Sequence, residues 1–128
     1  MRLRILVVDD NVEGGQLLRA LFAQRGHDVA VAVSGEEAMQ VANAFRPHVG
    51  LVDIGMPGMN GYALAEHFRR DPDHSSMFLV ALTGWGEDED KQKAIEAGFD
   101  AHVLKPADPD ELNQLITARV PLVSEHSD

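Results

Sequence analysis

The chain has 128 residues, 45% of them apolar, enough for one compact domain with a substantial core. With no cysteine there is no disulfide framework and no thiolate metal site. A formal charge of −10 and a pI near 4.9 argue against unaided binding to nucleic acid or an anionic membrane, because neutralising phosphates needs a basic face.

In chain order, Arg4 to Val8 reads as an apolar strand that stops at Asp9-Asp10-Asn11, which is turn and helix-cap chemistry. Four consecutive apolar residues ahead of two acids are too few for a signal peptide or a membrane span, so a cytoplasmic protein is expected. Leu17, Leu18, Leu21 and Phe22 recur at helical spacing before Gly26. His27 to Val33 predicts a second strand. Ser34-Gly35-Glu36-Glu37 then has the form of a capping box, ahead of a helix striped by Ala38, Val41, Ala42 and Phe45 and ended by Arg46-Pro47.

Val49 to Asp53 is an apolar run closed by one carboxylate, the pattern of a strand buried on both faces with its acid at the mouth. Asn60-Gly61 opens a third helix with Leu64 and Phe68, ending near Arg70-Asp71-Pro72. A polar loop leads to a fourth strand over Met77 to Leu82, and Thr83-Gly84-Trp85-Gly86 reads as a loop. Glu87-Asp88-Glu89-Asp90 places acids at a helix N-terminus, where the macrodipole favours them, and that helix ends at Gly98. Ala101 to Leu104 is the last strand, broken by Lys105-Pro106. Asp108-Pro109-Asp110-Glu111 then starts a helix carrying Leu112, Leu115 and Ile116. The expected domain covers residues 1–121, with 122–128 a frayed tail.

Strands alternating with helices through short connections imply an α/β fold, a doubly wound parallel sheet covered on both faces. In such sheets the ligand site lies beyond the carboxyl ends of the strands. Those ends carry Asp9 and Asp10, Asp53, Thr83 and Lys105. Two carboxylates about 5 Å apart repel by roughly 3 kcal/mol at an effective dielectric near 20, so three on one rim call for a divalent cation. An all-oxygen donor set suits Mg2+. Lys105 and Thr83 are then left for an anion, and Asp53, the lone acid of the central strand, is the candidate nucleophile for phosphoryl transfer. Each residue alone has a plainer reading: the Asp9-Asp10-Asn11 triplet as a helix cap, Thr83 as a loop hydroxyl, Lys105 as a solvated charge. Their convergence at one rim favours the site.

Val7-Val8-Asp9-Asp10-Asn11, Val52 through Gly61, Ala81-Leu82-Thr83-Gly84 and Leu104-Lys105-Pro106 together resemble the four signatures of the response-regulator receiver domain of two-component signalling, over residues 4 to about 119. The resemblance implies a flavodoxin-like five-stranded parallel sheet in the order 2-1-3-4-5, as in the chemotaxis regulator. It implies that Asp53 accepts a phosphoryl group from a histidine kinase or a histidine phosphotransfer protein. It also implies that Mg2+ is held by Asp10, Asp53 and the Gly55 backbone carbonyl, with Asp9 acting largely through water. Lys105 would pair with the phosphate and Thr83 would hydrogen-bond it. A cis bond at Pro106 would aim the lysine, and phosphorylation would switch the face formed by the fourth helix, fifth strand and fifth helix.

The family's switch position, usually aromatic, is His102 here, which introduces a possible charge near neutral pH. Gly55 and Trp85 stand where the family tunes loss of the phosphate, and neither can orient a water through a carboxylate or amide, so slow self-dephosphorylation is expected. The Thr83 to Gly86 loop resembles receivers of hybrid sensor kinases. A monomer or weak dimer is expected, with no direct contact to nucleic acid or membrane. Two other classes fit part of the pattern. A Mg2+-dependent aspartyl-phosphate phosphatase would want an Asp-x-Asp motif and room for a cap, and a non-phosphorylated interaction module usually lacks an acid or the lysine.

Overall fold

The computed structural model describes residues 2–55, 60–84, 88–105 and 107–125, with side chains described except at 88–90 and 121–125. Five strands alternate with five helices: β1 (Arg4–Val8), α1 (Val12–Gln24), β2 (Asp28–Ala32), α2 (Gly35–Phe45), β3 (Val49–Asp53), α3 (Gly61–Arg70), β4 (Phe78–Thr83), α4 (Asp88–Ala97), β5 (Ala101–Leu104) and α5 (Pro109–Glu125). All strand pairs are parallel and the order is β2-β1-β3-β4-β5. This is the doubly wound α/β sheet expected from the alternation. The order reverses between β1 and β3, where the chain leaves β1 for one edge and returns to the other side of it.

Period-two alternation divides the core between the two faces. Leu6, Val8, Val52, Ile54, Leu79 and Ala81 pack under α2, α3 and α4 through Ala38, Ala42, Leu64, Phe68 and Ala94. Ile5, Val7, Leu51, Val80 and Leu82 pack under α1 and α5 through Phe22, Leu112 and Ile116. Four helices begin on a side-chain cap: Asn11 Oδ1 accepts from Gly14 N (3.1 Å), Ser34 Oγ from Glu37 N (3.1 Å), Asn60 Oδ1 from Ala63 N (2.9 Å) and Asp108 Oδ1 from Asp110 N (2.9 Å).

Several local expectations shift. β2 is shorter than His27–Val33 because the His27 amide is spent on Phe22 O in the turn that closes α1 and the Val33 amide on Glu37 Oε1. β4 sits one residue later than Met77–Leu82, so Thr83 is the last residue of a strand, not part of a loop. The capping box is displaced: Glu37 Oε1 accepts from Val33 N at 3.3 Å, one residue before the cap. Leu17, grouped with the core stripe of α1 in the sequence, is 60% exposed, whereas Phe22 is fully buried. The backbone of α5 runs from Pro109 through Pro121 to Glu125. A proline forfeits one backbone hydrogen bond, and a helix already anchored by Leu112, Ile116 and Val120 can cross it.

Candidate functional site

Register alone brings the rim residues together. Val8 pairs with Val52, so Asp9 emerges beside Asp53; Asp53 pairs with Leu82, so Thr83 follows next door; Thr83 pairs with Leu104, so Lys105 comes last. Two loop bonds hold the rim closed, Ile54 N to Leu82 O at 3.2 Å and Lys105 N to Thr83 O at 2.7 Å. Residues separated by most of the chain therefore share one edge because every strand points the same way.

Asp9, Asp10 and Asp53 each present a carboxylate oxygen within 4.8 Å of the others. Lys105 Nζ lies 3.2 Å from Asp53 Oδ2 and 3.4 Å from Asp9 Oδ2, bridging two of the three acids. Asp9 is buried, Asp53 half-buried and Asp10 exposed, so the cluster is graded from core to solvent. Each of the inner acids is oriented by its own loop: Asn11 N donates to Asp9 Oδ1 and Gly55 N to Asp53 Oδ1, both at 2.9 Å. Thr83 is almost fully buried at the end of β4.

The electrostatics follow from this crowding. Burial pushes the Asp9 carboxyl up from its ordinary value, and the neighbouring Asp53 charge adds to this; the Asn11 amide and Lys105 oppose it without cancelling it. For Lys105, burial works to lower the ammonium's value, but hydrogen bonding and charge from Asp53, together with Asp9, outweigh it and hold the group above its ordinary value. Lys105 is thus firmly charged at neutral pH, and it answers an acid cluster that carries more negative charge than one ammonium balances.

The donor set fits a hard divalent ion. It is oxygen-only, drawn from three acids whose carboxylate oxygens lie within 4.8 Å of one another, one of them buried. Gly55 follows Asp53 by two residues, and its amide donates to Asp53 Oδ1.

Of the other expected residues, His102 lies on β5 opposite Ala81 and lines a groove of about 220 Å3 with Lys91, Ala94, Ile95 and Phe99. It is on the α4–β5 side of the molecule and is not among the residues of the acidic cluster. Trp85 and Pro106 lie outside the described residues, as does Glu87. Asn11, weighed in the sequence as a cap, does two things: its side chain caps α1 and its amide orients Asp9. Leu17 has its own place too, lining a cleft of about 370 Å3 that runs from Asp9 and Lys105 across α1 to Leu18 and Ala107. No sequence signal separates such a leucine from a core leucine, since both obey the same period.

Comparison with known proteins converges on one description. A family model for the response regulator receiver domain matches residues 5–117. An uncharacterized 14.6 kDa protein of Leptolyngbya boryana is 36% identical over 112 residues, covering 88% of this chain and 86% of that protein. The DNA-binding response regulator MtrA of Mycobacterium tuberculosis is 35% identical over 120 residues, covering 94% of this chain and 51% of MtrA. The chain thus spans about half the length of MtrA. Among solved structures, a putative response regulator from Chloroflexus aurantiacus superposes with a TM-score of 0.88 at 29% identity, covering 94% of this chain and 99% of that one. The chemotaxis protein CheY4 of Vibrio cholerae gives 0.87 at 25% identity, covering 92% and 98%.

Proposed function

Because this chain belongs to the response regulator receiver domain family of two-component signalling, we propose that it accepts a phosphoryl group on Asp53 from a phosphohistidine of a histidine kinase or phosphotransfer protein. The observation that carries this reading is the gathering of Asp9, Asp10 and Asp53 within 4.8 Å, with the Lys105 ammonium 3.2 Å from Asp53. Acids alone could be a cap and a turn. Acids with a cation aimed at the central one form a device for handling a phosphate.

The proposed step is an in-line displacement. An Asp53 carboxylate oxygen attacks the phosphorus, the P–O bond forms as the P–N bond breaks, and the imidazole departs as a neutral ring once it has taken a proton from solvent. The Gly55 amide fixes one carboxylate oxygen, and the other, which faces the Lys105 ammonium at 3.2 Å, attacks as that ammonium moves onto the incoming phosphoryl group. Lys105, already charged, pairs with the phosphoryl oxygens, and the Thr83 hydroxyl donates to one of them. Mg2+, held by Asp9, Asp10, Asp53 and the Gly55 carbonyl, would neutralise charge on the transferring group. The cleft over Leu17 and Leu18 supports a protein as donor, since it offers apolar surface directly beside the acids.

The output is the α4–β5–α5 face, with Thr83 and His102 as the switch residues; the groove at Lys91, Ile95 and His102 supports a readable surface there. Release of the phosphate is slow, tuned by Gly55 and Trp85. The protein acts in the cytoplasm as a monomer or weak dimer; among the described residues no helix is long and apolar enough to cross a membrane.

Incubation with acetyl phosphate and Mg2+, followed by intact-mass measurement, tests the chemistry. A phosphate adduct is expected on the wild type and not on Asp53→Asn, and an adduct on both would relocate the acceptor. The lifetime of that adduct in Trp85→Ala tests the slow-release proposal, which fails if the lifetime is unchanged.

A further inference from the structure

Gly61 is the first residue of α3, and nothing in its backbone requires glycine. The positive-φ glycines of the described residues are Gly26 and Gly98, and Gly61 is not one of them. Space is the constraint. A Cβ on Gly61 would stand 2.6 Å from Ile54 Cα, 2.9 Å from Ile54 Cγ2 and 3.0 Å from the Asp53 carbonyl oxygen. The first and third of these are backbone atoms, which cannot swing aside as the end of a flexible side chain can.

Ile54 has little freedom to yield. Its side chain is buried in the core under α3, and its amide is bonded to Leu82 O at 3.2 Å. The next amide, Gly55 N–H, fixes Asp53 Oδ1 at 2.9 Å. The end of α3 is thus laid directly against the peptide that aims the Asp53 carboxylate. We infer that Gly61 is a positioning residue for Asp53: by letting the start of α3 close on the Asp53–Ile54 backbone, it fixes the Gly55 amide where it can hold one carboxylate oxygen and turn the other toward Lys105. The inference rests on the phosphoacceptor reading of Asp53 for its consequence in rate, but not for its consequence in geometry.

Gly61→Ala tests it, with Asn60→Ala as control. Asn60→Ala removes the cap of α3 without adding an atom beside Ile54, so it weakens the helix alone. Alanine is intrinsically better than glycine in a helix, so any loss in Gly61→Ala runs against propensity. Two quantities are measured in both variants and the wild type: the rate of phosphorylation by acetyl phosphate with Mg2+, and the chemical shift of the Gly55 amide proton in the unphosphorylated chain. Gly61→Ala is expected to shift the Gly55 amide and slow phosphorylation by about tenfold or more. Asn60→Ala should lower the melting temperature while leaving both near wild type.

A Gly61→Ala chain that keeps the Gly55 resonance and phosphorylates at the wild-type rate overturns the inference. So does an Asn60→Ala chain that slows to the same degree, because the effect would then belong to helix stability. An unfolded Gly61→Ala chain overturns it too, since the close approach would be a need of the fold and not of the carboxylate. If the wild type takes no phosphate while the Gly55 amide still moves in Gly61→Ala, the phosphoacceptor reading fails and the positioning stands.

Discussion

At the carboxyl rim of the sheet, three carboxylates crowd within 4.8 Å and Lys105 bridges two of them. At the amino rim, Arg69 and Asp100 meet complementary partners. Arg69 donates from Nε to Gly98 O, from Nη1 to Ser75 O and Met77 O, and from Nη2 to Asp100 Oδ2. Asp100 in turn accepts from Leu79 N. His27 Nδ1 and His48 Nδ1 accept from the successive amides of Leu3 and Arg4, one on either side of β1. The amino rim is satisfied from within the chain. The carboxyl rim holds three carboxylates against one ammonium, an excess of like charge that the amino-rim cluster does not have.

Breaking the satisfied rim should cost the most. Arg69→Ala removes four donors' worth of bonding to three carbonyls and a carboxylate, and leaves Asp100 without its cation. Arg69 is about a quarter exposed, so part of this loss is recovered from water. A loss of roughly 2–4 kcal/mol in urea unfolding is expected, with the phosphorylation chemistry of the folded fraction retained. An effect near zero would mean that the amino rim is no better satisfied than the other.

Relieving the unsatisfied rim should do the opposite. Asp9→Asn removes one of three like charges while keeping an oxygen for the Asn11 amide. Without Mg2+, this variant should gain on the order of 1 kcal/mol over the wild type. Added Mg2+ should raise the wild-type unfolding midpoint by mass action and raise the variant's much less. Equal stabilisation of both by Mg2+ would remove Asp9 from the ion's surroundings.

The smallest effect sharpens the comparison through pH. Burial, and then the Arg4 charge, hold the His48 imidazolium below its ordinary value. The unfolded chain therefore binds more protons than the folded one as pH falls below about 6.5, and the stability present above that value drains away through the lower folded value. Protonation also converts Nδ1 from acceptor to donor and breaks its bond from Arg4 N, a loss of about 0.5–1 kcal/mol. In His48→Asn, an amide oxygen can take the place of Nδ1 without titrating. Its stability should fall less between about pH 7.5 and about pH 5.5 than that of the wild type. Parallel pH profiles would show that His48 is not an acid-sensitive tie.

Much of the site was legible before any coordinates because parallel strands deliver their last residues to one edge. Asp9, Asp10, Asp53, Thr83 and Lys105 could be assigned there from apolar runs and turn residues alone. The helix caps at Asn11, Ser34 and Asn60 were equally local, since a cap needs only its own next three residues. The sheet order came from resemblance, because periodicity says that a strand is buried and never which strand lies beside it.

What the sequence determined by itself was the alternation of strands and helices, the caps and the acids at strand ends, all of them set within a few residues of backbone. Only the tertiary structure decided that Leu17 lines a cleft while Phe22 fills the core, that two histidines clasp the start of β1, and that α3 presses against the Asp53 peptide at Gly61. Those outcomes depend on which surfaces meet across long stretches of chain. Burial, like-charge crowding and the room for a single methyl group are properties of the meeting, not of either partner's sequence.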